Sequence, residues 1–264
     1  MKTIYKLYQN REFNPLLLNL ISVRYANTDC IDNSIVSTKD YSIILSNVSK
    51  QFANDSITLK LMLYLCSMLT ECGLNQRNFS IPTSKLKEEL GISKTYYIDM
   101  SLHYLSSISY EYQFAGQRYY TNILTSYEHK SGRYKVEFDE YLILLLNRNK
   151  WVYTIPKNLL KCDVRYYKHC IFLGNYLYLH QKINYTKKNK YIISIRQLLK
   201  VSPLIPSYDE LPKDQRQVQR SIIKPFEKNL SYICNLLNIE WQYTDEMNNQ
   251  YESFITNKII IDCR

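Results

Sequence analysis

The stretch "TSKLKEELGISKTYYIDMSLHYLSSI" (residues 83–108) reads as two short helices joined by a tight turn. Thr83 or Ser84 is placed to cap the first helix, Gly91 to end it, and Ser93 to cap the second. A helix, a turn at "LGIS" and a second helix are the signature of a helix-turn-helix. Upstream, "SITLKLMLYLCSMLTE" (56–71) carries Leu59, Leu63, Cys66 and Leu69–Thr70 at the spacing of a buried helical stripe. "NFSIP" (78–82) between them is short and extended. Downstream, "QRYYTNILTSYEH", "KSG" and "RYKVEFDEY" (117–141) predict two alternating strands around a Gly-containing turn. A helix-turn-helix followed by a hairpin is a winged helix.

The same order of elements returns further along the chain. It opens near "WVYTIPKNLL" (151–160), and "DVRYYKHCIFLGNYLYLHQKI" (163–183) predicts a long helix. "KKNKYIISI" supplies a basic turn and a strand, "RQLLKV" a short helix, and "SPLIPSYDELP" (202–212) a connector with three prolines. "DQRQVQRSIIKPFEKNL" (214–230) then predicts the second helix of the pair, and "IEWQYTDEMNNQYESFITNKIIID" (239–262) another hairpin. The fold class expected is therefore α+β, two tandem winged-helix domains at 51–148 and 149–264. They follow a segment, 1–50, of uncertain structure.

The stretch 214–230 has two faces. Val218, Ile222, Phe226 and Leu230 recur every four residues, and so do Arg216, Arg220, Lys224 and Lys228. The first row suits docking on a core and the second suits a polyanion. Pro225 lacks a backbone N–H and should kink or break this helix in its middle. Charge is distributed to match. Residues 1–148 hold 16 Lys/Arg and 14 Asp/Glu, whereas residues 149–264 hold 18 and 10. A local positive field attracts nucleic acid, the commonest polyanion in cytosol. The plainer alternative is a solvated basic surface.

In a helix-turn-helix the second helix enters the major groove. There Arg suits guanine, Gln suits adenine and Lys suits phosphate. The candidate contacts are Gln215, Arg216, Gln217, Gln219, Arg220, Lys224 and Lys228, with Lys213 just before them. The first module is less basic. Its corresponding helix offers Lys94, Thr95, Tyr96 and Tyr97 before Asp99, and its hairpin offers Lys130, Arg133 and Lys135.

Catalysis finds little support. The four His (103, 129, 169, 180) never fall two apart, as a metal pair of a DNA-nicking enzyme requires, and no G-x-x-x-x-G-K-[ST] phosphate loop occurs. The expectation is no enzyme, no metal and no cofactor. "VRYYKHCIF" and "YTKKNKYII" alternate aromatics with bases as single-strand binders do, although at helical or strand spacing most of those tyrosines belong to a core. Seven Cys without a C-x-x-C pair suit a reduced cytoplasmic chain. No apolar run approaches the roughly 18 residues of a membrane span, and the N-terminus lacks the pattern of a signal peptide.

"FSIPTSKLKEELGIS" (79–93) and "VQRSIIKPFEKNL" (218–230), in this order, resemble the iteron-binding plasmid replication initiators. The resemblance covers roughly residues 50–262. It implies a chain that binds repeated double-stranded DNA sites at an origin, helps open an adjacent AT-rich segment and recruits a host helicase or initiator. It also implies a homodimer in equilibrium with a monomer. The first winged helix would carry the dimer contacts. The second would read bases, through Gln215, Arg216, Gln219, Arg220 and Lys224. The alternative is a winged-helix transcriptional regulator of its own replicon.

Overall fold

The computed structural model describes residues 4–9, 30–31, 34–37, 41–46, 48–49, 56–73, 75–114, 117–147, 151–184, 190–202, 205–206, 214–246 and 250–263. The chain divides into two compact units, Met1–Lys161 and Cys162–Arg264.

In the first unit, β1 (Ile4–Gln9) runs antiparallel to a late strand, Trp151–Pro156, from Ile4 opposite Pro156 to Gln9 opposite Trp151. Residues 151–160 were expected to open the second module; strand pairing with the N-terminal segment puts 151–156 in the first unit instead. The short strands β2 (Cys30–Ile31) and β5 (Val48–Ser49) pair with each other. Between them β3 (Ser34–Ser37) and β4 (Tyr41–Ser46) start a four-stranded antiparallel sheet. Helix α1 (Ser56–Glu71) follows and is buried on nearly every side, so it is a central core helix rather than one with a single apolar stripe. Lys60 on it is fully buried, and its Nζ donates to Leu90 O at 2.9 Å. That carbonyl closes the next helix, where the helix dipole favours a cation.

β6 (Asn78–Pro82), α2 (Thr83–Leu90) and α3 (Thr95–Ser107) come next. Pro82 and Lys94 stand at the two N-cap positions and neither helix has a side-chain cap, unlike the expectation for Thr83, Ser84 and Ser93. Thr83 Oγ1 lies instead 3.0 Å from His129 Nε2. Gly91 does end α2, at φ 63° and ψ 37°. A Cβ there would lie 3.0 Å from the backbone oxygen of Lys161, so both the left-handed conformation and the close approach select glycine.

The predicted strand 117–129 is two strands. β7 (Ser109–Phe114) and β8 (Gln117–Asn122) complete the four-stranded sheet in the order β3-β4-β7-β8. β9 (Leu124–Lys130) and β10 (Arg133–Phe138) form the hairpin, in a sheet ordered β6-β10-β9. The break falls at Ile123, which is fully buried and donates its N–H to Ile108 O at 3.2 Å. Ser131 and Gly132, at φ 52° and 70°, make the two-residue turn. Helix α4 (Glu140–Asn147), β11 (Trp151–Pro156) and α5 (Lys157–Leu160) close the unit.

The second unit repeats the order. It has α6 (Cys170–Asn184), β12 (Lys190–Ser194), α7 (Ile195–Lys200), helix α8 (215–237), β13 (Ile239–Tyr243), α9 (Tyr251–Thr256) and β14 (Lys258–Cys263). Its sheet is ordered β12-β14-β13, so the last strand lies between the other two, as β10 does in the first unit. The sequence predicts a plain hairpin over 239–262. The structure inserts α9, because Phe254 needs a buried place. Phe254 is fully buried, edge-on to Phe226 at 5.4 Å between ring centroids.

Gly91→Ala should destabilise the protein by about 1–3 kcal/mol, the usual strain of a residue held in an unfavourable backbone region. A denaturant titration measures it, and an unchanged midpoint would contradict the account of this turn.

Candidate nucleic-acid interface

Helix α8 is built in three parts. Gln215–Val218 is an α-helical turn, Gln219–Ile223 is a π-helical turn, and Lys224–Leu237 is α-helical again. The side chain of Asp214 caps the start, its Oδ1 accepting from Arg216 N at 3.0 Å. Asn238, at φ 55°, ends it.

Pro225 neither breaks nor stops this helix; the two residues before it keep helical angles, with Ile223 at φ −66° and Lys224 at φ −60°, and the α-helix runs on past it to Leu237. The π turn explains why. Lys224 N–H bonds to Gln219 O, five residues back, and the α-helical ladder restarts there. Pro225 then sits in the first turn of the restarted ladder, where its missing N–H leaves no gap.

The same turn keeps the two rows straight. Four residues overshoot an α-helical turn by about 40°, so three such steps would rotate a row by about 120°. The wider turn takes up part of that rotation. Val218, Ile222, Phe226 and Leu230 are all buried, with exposures between 0% and 3%. Arg216, Arg220, Lys224 and Lys228 are all exposed, as are Gln215 and Gln217, while Gln219 is half-buried. The acids of the stretch are engaged elsewhere. Asp214 caps the helix, and Glu227 accepts a 2.7 Å hydrogen bond from the Tyr243 hydroxyl on the sheet. Burial above all, and then Glu227, holds the Tyr243 phenol well above its ordinary pKa, so it stays a donor.

Gln215, Arg216, Gln219, Arg220 and Lys224 line one open depression. A neighbouring groove shares Arg220 and Lys224 and adds Lys228 together with Arg165, Tyr166 and Lys168. Sequence reasoning missed these last three. It placed 163–183 in one helix with its tyrosines in a core, but the helix starts at Cys170 and Tyr166 is 67% exposed. Asp163 Oδ1 accepts from Arg165 N at 3.0 Å and its backbone O from Tyr167 N at 3.0 Å, a single capped turn that closes before α6 begins. An Asp two residues before "RYYK" was the signal available.

Three contacts fasten this turn to α8. Asn229 Oδ1 accepts from His169 N at 3.0 Å, Tyr232 Oη accepts from Asp163 N at 3.3 Å, and Tyr167 stacks on Tyr232 at 3.8 Å. Asn229 is 3% exposed, and its Nδ2 donates back to Pro225 O at 2.7 Å.

In the first unit, Lys94 stands exposed at the N-cap of α3, Thr95 is half-buried, and Tyr96 and Tyr97 are exposed and in edge contact at 5.6 Å. Asp99 is bound to the hairpin. Tyr134 Oη donates to its Oδ1 at 2.6 Å and His129 Nδ1 lies 3.7 Å away. Lys130 is exposed beside the turn, Arg133 donates to the Ser80 hydroxyl and carbonyl at 2.8 Å each, and Lys135 pairs with Glu128 at 3.3 Å. Two of the three expected hairpin contacts are thus engaged within their own sheet. Lys213 lies outside the described residues. Among the described residues, no group of three or more His, Cys, Asp or Glu is placed to hold a metal, and no helix is long and apolar enough to cross a membrane.

No protein-family model and no curated protein matches this sequence. Solved structures do match in shape. The Pi initiator protein, in complex with iteron DNA, superposes with a TM-score of 0.52 at 14% identity, over 98% of this chain and 96% of that one. The chain shares the fold of that initiator. Domains 2 and 3 of RctB superpose equally well, with a TM-score of 0.52 at 10% identity, over 94% of this chain and 98% of that one.

Asn229→Ala would leave the His169 N–H buried without this acceptor, a loss of about 1–3 kcal/mol in stability. Thermal or denaturant unfolding measures it, and a change under a few tenths would contradict the bridging role.

Proposed function

We propose that the chain is a sequence-specific double-stranded DNA-binding replication initiator, built as two tandem winged-helix domains and acting without catalysis. One observation carries the reading. Helix α8 buries one row of side chains completely and exposes a row of Arg and Lys on the opposite face, flanked by Gln. Arg and Gln recognise guanine and adenine edges in the major groove, and Lys neutralises phosphates. The fold shared with the Pi initiator, whose structure holds iteron DNA, supports repeated duplex sites as the target.

In this reading Gln215, Arg216, Gln219, Arg220 and Lys224 meet the bases and adjoining phosphates. Gln217, Lys228 and Lys213 are secondary contacts. The first domain contributes Lys94, Thr95, Tyr96, Tyr97 and Lys130 at weaker contacts and pairs with a second copy of the chain, in equilibrium with monomer. Binding at the origin promotes opening of neighbouring duplex and brings in a helicase. The alternative, a regulator of its own replicon, uses the same helix on a single operator.

Arg220→Ala should weaken binding to the preferred site by about 1–3 kcal/mol and relax preference at one base pair. Titration of the variant against a panel of single-base-pair substitutions of that site reads both effects. Equal loss on every sequence would make Arg220 a phosphate contact, and no loss on any would sink the reading.

A further inference from the structure

We propose that the turn 163–169 forms a second DNA contact, a clamp on the sugar-phosphate backbone beside the base-reading helix; it rests on the DNA-binding reading above. The groove between this turn and α8 is lined by Arg165, Tyr166 and Lys168 on one side and Arg220, Lys224 and Lys228 on the other. It presents five cationic side chains, and its lining holds no carboxylate among the described residues. One of the five, Arg165, is paired with the adjacent Asp163 at 2.8 Å, which leaves Lys168, Arg220, Lys224 and Lys228 to carry most of the positive field. That composition matches a phosphodiester strand, with which Arg, Lys and Tyr hydroxyls all form hydrogen bonds.

The turn is held ready. Asn229 grips His169 N, and Tyr232 takes both Asp163 N and the face of Tyr167. Lys228 Nζ reaches over that same ring at 5.2 Å. Asp163 accepts from Arg165 Nε at 3.1 Å and Nη2 at 2.8 Å, which fixes the plane of the guanidinium, and the Tyr166 ring lies 5.7 Å from Arg165 Cζ. A charged turn locked to the recognition helix loses little freedom on binding. It would meet the backbone flanking the groove that α8 enters and so fix the helix's register without reading sequence itself.

The test uses the full chain, a mixed-sequence duplex and a single-stranded oligonucleotide of the same sequence. Arg165→Ala combined with Lys168→Ala is titrated between about 50 and 200 mM salt. The clamp predicts roughly tenfold weaker duplex binding on every sequence and a salt slope shallower by about two. The ranking of duplex sites stays unchanged. An unaltered slope overturns the clamp. So does a loss confined to the single strand, which would make Tyr166 a stacking platform for unpaired bases instead. Arg220→Ala run alongside separates the two readings. If it weakens the duplex while the double variant does not, only the clamp fails; if neither does, the DNA-binding reading fails with it.

Discussion

The amide of Asn229 joins the parts of the second unit on which its chemistry depends. One end of this buried side chain accepts the His169 N–H and the other donates to the Pro225 carbonyl. The first bond fixes the turn 163–169. The second sits where the π turn hands over to the α-helix, one turn before Asn229 itself. An amide with both ends bonded and almost no exposure has a single workable orientation. Its neighbours inherit that fixity. Arg220, Lys224 and Lys228 project from one side of it, and Arg165 and Lys168 from the other.

The π turn is the second constraint. A uniform α-helix with apolar and basic residues every four positions would wind its two rows around the axis, and one end of the basic row would meet the core. The wider turn at Gln219–Ile223 holds the rows opposite each other and leaves Pro225 in a first-turn position. Proline and periodicity, which look contradictory in the sequence, are two aspects of one local geometry. Wide turns of this kind are frequent at functional sites.

Much of this was legible in the sequence because it is local. The four-residue rows of 216–230, the glycine that ends α2 and the Ser-Gly turn of the hairpin each follow from short-range rules. The rest depends on partners far away in the chain. Nothing near residues 4–9 announces that they pair with 151–156, and nothing near 109–122 announces a strand that joins 41–46. The basic turn 163–169 was hidden too. Its tyrosines have helical spacing, and the contacts that hold it as a separate turn, to Asn229 and Tyr232, come from residues 60 or more positions away. The weakness of the first unit's candidates was also invisible, since Arg133 and Lys135 read as available cations until Ser80 and Glu128 are found beside them.

The central claim is that the basic face of α8 recognises repeated duplex sites. Footprinting the chain at near-physiological salt, on the DNA that flanks its own gene, tests it most directly. The account predicts protection of several direct repeats next to an AT-rich tract. Protection of a single inverted repeat over a promoter would contradict the initiator reading in favour of a regulator, and the lack of any discrete footprint would contradict sequence recognition by this helix.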